Sequence, residues 1–144
     1  SERNLAEAGR MIAEEGFHGF RPLLVEDDPG VVRDAVAEPI DLFLSSAVFQ
    51  HFPSKRYGVE VLKILAAICR PGALGYIQIR FDNNNVHYAP IRSLDEYRTR
   101  HITATSYALD EFWDICQNAG FEVLFISQVA SSNNYATFNL RRRG

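Results

Sequence analysis

Short apolar segments with strand character alternate with helix-length amphipathic ones along almost all of this 144-residue chain. Such alternation restricts a chain to α/β architectures, in which strands joined through helices run parallel and need helices on both faces to cover them. A first helix is expected over residues 4–15, where Leu5, Ala8 and Ile12 share a face and Gly16 supplies the stop. Leu23, Leu24 and Val25 then end a short strand over 21–25, and Asp28 before Pro29 reads as the cap of a short helix running to Val36. Residues 40–45 form a second strand, apolar enough to lie inside a covered sheet. Ser54 caps a helix with a stripe of Tyr57, Val61, Leu65 and Ile68, ended by Pro71 and Gly72. A third strand follows over 74–81, with Tyr76 and Arg80 placing one end at the surface.

Residues 82–107 are the least regular part, with Ser93 and Glu96 spaced as a capping box for a short helix. A helix over 109–118 closes at Gly120. Strands over 121–129 and 135–141 follow, and the short link over 130–134 makes them an antiparallel hairpin.

Charge and composition exclude several classes of function. The net charge is -3, and the only basic cluster, Arg141 to Arg143, reads as a solvated tail, so no nucleic-acid partner is expected. Cys69 and Cys116 have neither CxxC spacing nor a nearby histidine pair, so no metal site is expected. They read as free thiols of a reducing compartment, which makes a cytoplasmic location the expectation. No apolar run reaches the roughly 20 residues of a membrane span. The chain opens on Ser-Glu-Arg with neither an initiator methionine nor a signal peptide, as a piece of a longer protein would.

Three local patterns narrow the α/β class. The first is Asp41-Leu-Phe-Leu-Ser-Ser-Ala-Val-Phe-Gln-His-Phe-Pro53, a strand running into a turn of small residues. The second is Leu65-Ala-Ala-Ile-Cys-Arg-Pro-Gly-Ala-Leu-Gly75, and the third is Leu109-Asp-Glu-Phe-Trp-Asp-Ile-Cys-Gln-Asn-Ala-Gly-Phe-Glu-Val123. In this order, and followed by a terminal hairpin, they resemble the class I S-adenosylmethionine-dependent methyltransferases. The likeness covers almost the whole chain. It implies a three-layer, Rossmann-like α/β sheet, mostly parallel with an antiparallel C-terminal hairpin. Residues 1–144 would be one partial methyltransferase domain, with 82–107 an acceptor-binding insertion.

The chain departs from the family where the cofactor's methionine end is held. The family's glycine-rich turn after its first strand is absent, since Gly16 and Gly19 are isolated and lie after the first helix. The acid that holds the ribose hydroxyls is absent too. Ala73 stands where the family carries a second glycine.

The resemblance also implies site residues. Asp27, at the end of the first visible strand, is placed to meet the adenine amino group of S-adenosyl-L-methionine, although the acidic run there is also explained by capping and solvation. Ser45, Ser46 and Ala47 lie at the strand edge where doubly wound sheets bind ligands, and a tight turn would ask for the same small residues. His51 is a weak catalytic candidate, with loop capping as the plainer reading. Tyr88, Arg98, Arg100 and His101 are candidates to bind a small-molecule acceptor, or else surface charges of a short helix.

The expected activity is methyl transfer to an unidentified small molecule, with catalysis by the chain alone weak or absent. The alternative is a methyltransferase-like, non-catalytic binding or assembly module, and a more distant one is an unrelated nucleotide-binding α/β domain. Without the family's first strand, the strand at Ile40 has an apolar open edge. That edge predicts either pairing by the 21–25 strand or a homodimer.

Overall fold

Ser1 starts the first helix, α1 (Glu2–Glu14), by accepting the N–H of Asn4 on its hydroxyl. The helix ends where the sequence says it should. Gly16, at φ 80°, donates to Ala13 while Phe17 donates to Ile12, the paired bonds of a Schellman stop. These are features of a computed structural model that describes residues 1–26, 28–130 and 132–144.

The chain divides into two units, Ser1–Ala37 and Glu38–Gly144. In the first, the strand expected over 21–25 does not form. Leu23 and Val25 have strand propensity, but a strand exists only where a neighbour takes its backbone hydrogen bonds, and the sheet draws all its strands from residues 40–142. Asp28 does not cap the following helix either. Its carboxylate accepts the N–H of Gly30 at 2.7 Å in a local turn, and helix α2 (Val31–Ala35) starts after Gly30.

The second unit is a mixed α/β sheet with the order β1-β2-β4-β3, built from β1 (Ile40–Ser45), β2 (Cys69–Arg80), β3 (Phe121–Ala130) and β4 (Tyr135–Arg142). β1 and β2 are parallel, and β4 runs antiparallel between β2 and β3. Helix α3 (Lys55–Ile68) makes the crossover from β1 to β2, with Ser54 accepting the N–H of Tyr57 as its cap. Pro71 and Gly72 do not end this helix. They sit in an irregularity of β2, where the register with β1 jumps from Cys69 to Leu74 and Gly72 takes φ 84°.

Helix α4 (Leu94–Arg100) starts at Ser93, but the expected capping box is not made: Ser93 caps no N–H, and Glu96 pairs with Arg100 at 3.0 Å. Helix α5 (Leu109–Asn118) returns the chain to β3, and Gly120 at φ 98° closes it by donating to Gln117.

One sheet face carries Phe43, Ile77, Ile79, Phe138 and Leu140, packed with Leu62 and Ala66 of α3 and Phe112 and Cys116 of α5. Phe112 is its hub, with ring centroids 4.9 Å from Tyr107, 4.9 Å from Phe138 and 5.6 Å from Phe49. Each buried ring contributes about 2–3 kcal/mol of hydrophobic stabilisation. Side chains alternate along a strand, so Leu42 and Leu44 of β1 point the other way, and they are 67% and 71% exposed. β1 is also an edge strand. Cys69 and Cys116 are free and buried, and burial pushes both thiols up. No described helix is long and apolar enough to cross a membrane.

Candidate functional site

Because β1 and β2 are parallel, their C-terminal ends lie side by side, with Ser45 opposite Ile77. Beyond Ser45 the chain must turn sharply to enter the 3-10 turn Phe49–His51, and it does so through Ala47 at φ 55°. A left-handed backbone costs a non-glycine residue about 1 kcal/mol. Ser46 spans the two strand ends by donating to Oε1 of Gln78 at 3.3 Å. Ser45, Ser46 and Ala47 thus come together at the carboxyl edge of the parallel pair, where doubly wound sheets bind ligands. Asp27 lies outside the described residues.

The insertion over 82–107 leaves from this edge and returns to it. Asp82 donates to the carbonyl of Tyr107 at 2.8 Å, and Tyr107 donates to the carbonyl of Arg80 at 3.1 Å. The loop is also tied to the 3-10 turn. Tyr97 donates its hydroxyl to the carbonyl of His51 at 2.6 Å, and Thr105 donates to the carbonyl of Phe52 at 2.6 Å. His51 sits with Nδ1 3.0 Å from the carbonyl oxygen of His101. A carbonyl only accepts, so Nδ1 carries the hydrogen of the neutral ring and Nε2 keeps the lone pair.

The other expected acceptor residues are dispersed. His101 meets His51 through its backbone, and its ring lies 6.4 Å from that of Tyr97. Arg100 is committed to Glu96 and donates to the carbonyl of Ala89 at 2.7 Å. Arg98 is exposed on α4. Tyr88 stacks on Arg80, with 4.3 Å from the guanidinium carbon to the ring centroid.

Arg80 itself overturns a sequence expectation, because it is buried rather than exposed. Its guanidinium lies between the rings of Tyr88 and Tyr135, and donates to the Tyr135 hydroxyl at 2.9 Å and to the Asn133 carbonyl at 3.3 Å. Among the described residues it has no carboxylate partner, so the rings and the two acceptors replace part of the hydration it loses, while its buried Nε has no hydrogen-bond partner. Arg80 therefore fastens the insertion and the β3–β4 hairpin to the end of β2. A charged residue near the strand end pointed to an exposed side chain, and only the return of Tyr88 and Tyr135 covers it.

No family model matches the sequence, and no curated protein does. Solved structures do resemble it. The mitomycin 7-O-methyltransferase MmcR superposes with a TM-score of 0.66 at 15% identity, covering 96% of this chain and 39% of that one. A possible exported protein from Bordetella parapertussis gives 0.70 at 15% identity, covering 100% of this chain and 51% of that one. The N,N-8-amino-8-demethyl-D-riboflavin dimethyltransferase RosA from Streptomyces davawensis gives 0.61 at 14% identity, covering 95% and 39%. The chain has the class I methyltransferase-like fold, Rossmann-like in its sheet, and spans between about two-fifths and one-half of the length of these structures.

Proposed function

We propose that this chain is part of an S-adenosylmethionine-dependent methyltransferase domain acting on a small-molecule acceptor. The carrying observation is the turn of small residues at the end of β1, with Ala47 held at φ 55° and Ser46 bonded to Gln78 of the parallel neighbour. Ser45, Ser46 and Ala47 offer backbone and little side-chain bulk, so they fit one side of a flat ring such as adenine. Neither the glycine-rich turn nor the ribose acid belongs to this sequence, so the fit is to part of the cofactor only.

When bound, the cofactor's sulfonium supplies an activated methyl group, which leaves orientation and proton removal to the protein. His51 offers Nε2 as the proton acceptor, and its Nδ1 contact to His101 holds the ring in that tautomer. Tyr97 and Thr105 keep the insertion over the strand ends, where an acceptor would lie. The two free thiols go with a cytoplasmic setting in this reading.

Titrating S-adenosylhomocysteine into the chain tests the proposal. A micromolar ligand is worth about -8 kcal/mol, and half its contacts leave about -4 kcal/mol, a dissociation constant of about 1 mM. Amide NMR is expected to show saturable shifts at Ser45, Ser46 and Ala47 in that range. Shifts absent there at saturating ligand would remove the cofactor reading and favour a methyltransferase-like binding or assembly module.

The exposed Leu42 and Leu44 on the edge strand β1 are the observation that favours this second reading. An apolar edge recruits another strand, and a second copy can supply it. Sedimentation is expected to show concentration-dependent dimers that Leu44→Lys abolishes. Monomers at every concentration would rule the homodimer out.

A further inference from the structure

We infer that the cleft between the start of α3 and the insertion binds an apolar monocarboxylate. The inference concerns binding alone, and does not depend on whether the chain transfers methyl groups. The cleft has a volume of about 470 Å³, within the range of small-molecule sites. Pro53, Pro90, Ile91 and Leu94 give it an apolar wall suited to a hydrocarbon or aromatic body.

Its charged lining is of one sign, Lys55 and Arg92. The two cations are not equivalent. Lys55 is consumed by Glu111, with Nζ 2.6 Å and 2.8 Å from the two carboxylate oxygens. Arg92 forms no ion pair and no side-chain hydrogen bond among the described residues, so its guanidinium fork is free. The acids that open α4 do not neutralise it: Glu96 is held by Arg100, and neither Asp95 nor Glu96 lines the cleft.

One free unit of positive charge matches one negative charge. A planar guanidinium pairs with a planar carboxylate through two parallel hydrogen bonds. A phosphate monoester would bring a second charge for which the cleft has no free cation. The 14-residue helix α3 begins at the cleft wall with Lys55, and its positive N-terminal end, where Ser54 already caps the Tyr57 N–H, adds to the positive potential. Ligand chemistry, apolar body and single charge are thus each set by a different part of the lining.

The test uses the 144-residue chain with para-fluorophenylacetate and its neutral amide, followed by fluorine and amide NMR. The acid is expected to bind about fivefold more tightly than the amide, the scale of a partly exposed ion pair. Its shifts should centre on Ile91, Arg92, Ser93 and Lys55. Arg92→Gln should bring the acid down to the affinity of the amide, while Arg98→Gln on the adjoining helix should leave the preference intact. Equal binding of acid and amide to the unaltered chain would overturn the inference, as would shifts centred at Ser45 to Ala47. Equal losses in both variants would also overturn it, since the preference would then come from general surface charge and not from Arg92. Inorganic phosphate competing more strongly than acetate would overturn the assignment to a single charge. No cofactor is present in these titrations, so their failure leaves the methyltransferase proposal standing, and the reverse holds.

Discussion

Replacing Phe112 with alanine is expected to lower the unfolding free energy by about 4 kcal/mol, the usual cost of deleting a fully enclosed ring. The position explains why the full cost should apply. Phe112 is 0% exposed, and its ring is met edge-on or tilted by three other aromatic rings from different elements. Phe49 comes from the turn after β1, Tyr107 from the end of the insertion and Phe138 from β4. A cavity at their junction cannot collapse without moving all three, so the transfer loss and the cavity cost both apply. Trp113, next along the helix, is only partly buried against the same core. Trp113→Ala should therefore cost about half as much, even though its side chain is larger. Urea unfolding at an unchanged m-value would measure both. A loss below about 1 kcal/mol for Phe112→Ala would mean that this junction is not the centre of the core.

Gly75→Ala should destabilise by about 3 kcal/mol, although it adds a single methyl group. Gly75 faces Phe43 directly across the β1–β2 pair, and the tip of the ring fills the space a side chain would need. A Cβ there would lie 2.1 Å from Cζ of Phe43, with two more ring carbons within 2.7 Å. The ring is 7% exposed and packs edge-on against Phe121 with centroids 5.5 Å apart, so it has no free direction in which to retreat. Either β1 and β2 separate or Phe43 leaves the core. The companion substitution Phe43→Leu distinguishes this clash from a loss of backbone freedom. In the double-mutant cycle, Gly75→Ala should cost at least about 1 kcal/mol less once the ring is gone. Strictly additive effects would show that the ring is not the obstacle.

The carboxyl edge of the parallel pair was readable in advance for a similar reason to the fold. Ser45, Ser46 and Ala47 follow a strand immediately, so knowing the strand places them. Arg80, Lys55 and Arg92 were not readable as they now stand. The environment of Arg80 is made by Tyr88 and Tyr135, and that of Lys55 by Glu111, all distant in sequence. Arg92 gains its meaning from a cleft whose opposite wall is Pro53 and Ser54.

By itself, the sequence determined the order of helices and strands from residue 40 onward, the stops at Gly16 and Gly120, the cap at Ser54 and the terminal hairpin. These rest on side-chain periodicity and on backbone hydrogen bonds between residues a few positions apart. Tertiary structure decided whatever needed a distant partner. The segment over 21–25 has strand composition and forms no strand, because a ladder needs a neighbour. Pro71 and Gly72, a helix stop by local rules, lie instead inside β2, in the stretch that its pairing with β1 skips between Cys69 and Leu74. Gly58 and Gly75 look interchangeable with alanine in one dimension. In three, a Cβ at Gly58 would lie 2.3 Å from the Tyr107 hydroxyl and one at Gly75 would enter the Phe43 ring, since packing density leaves no room that the chain itself does not occupy.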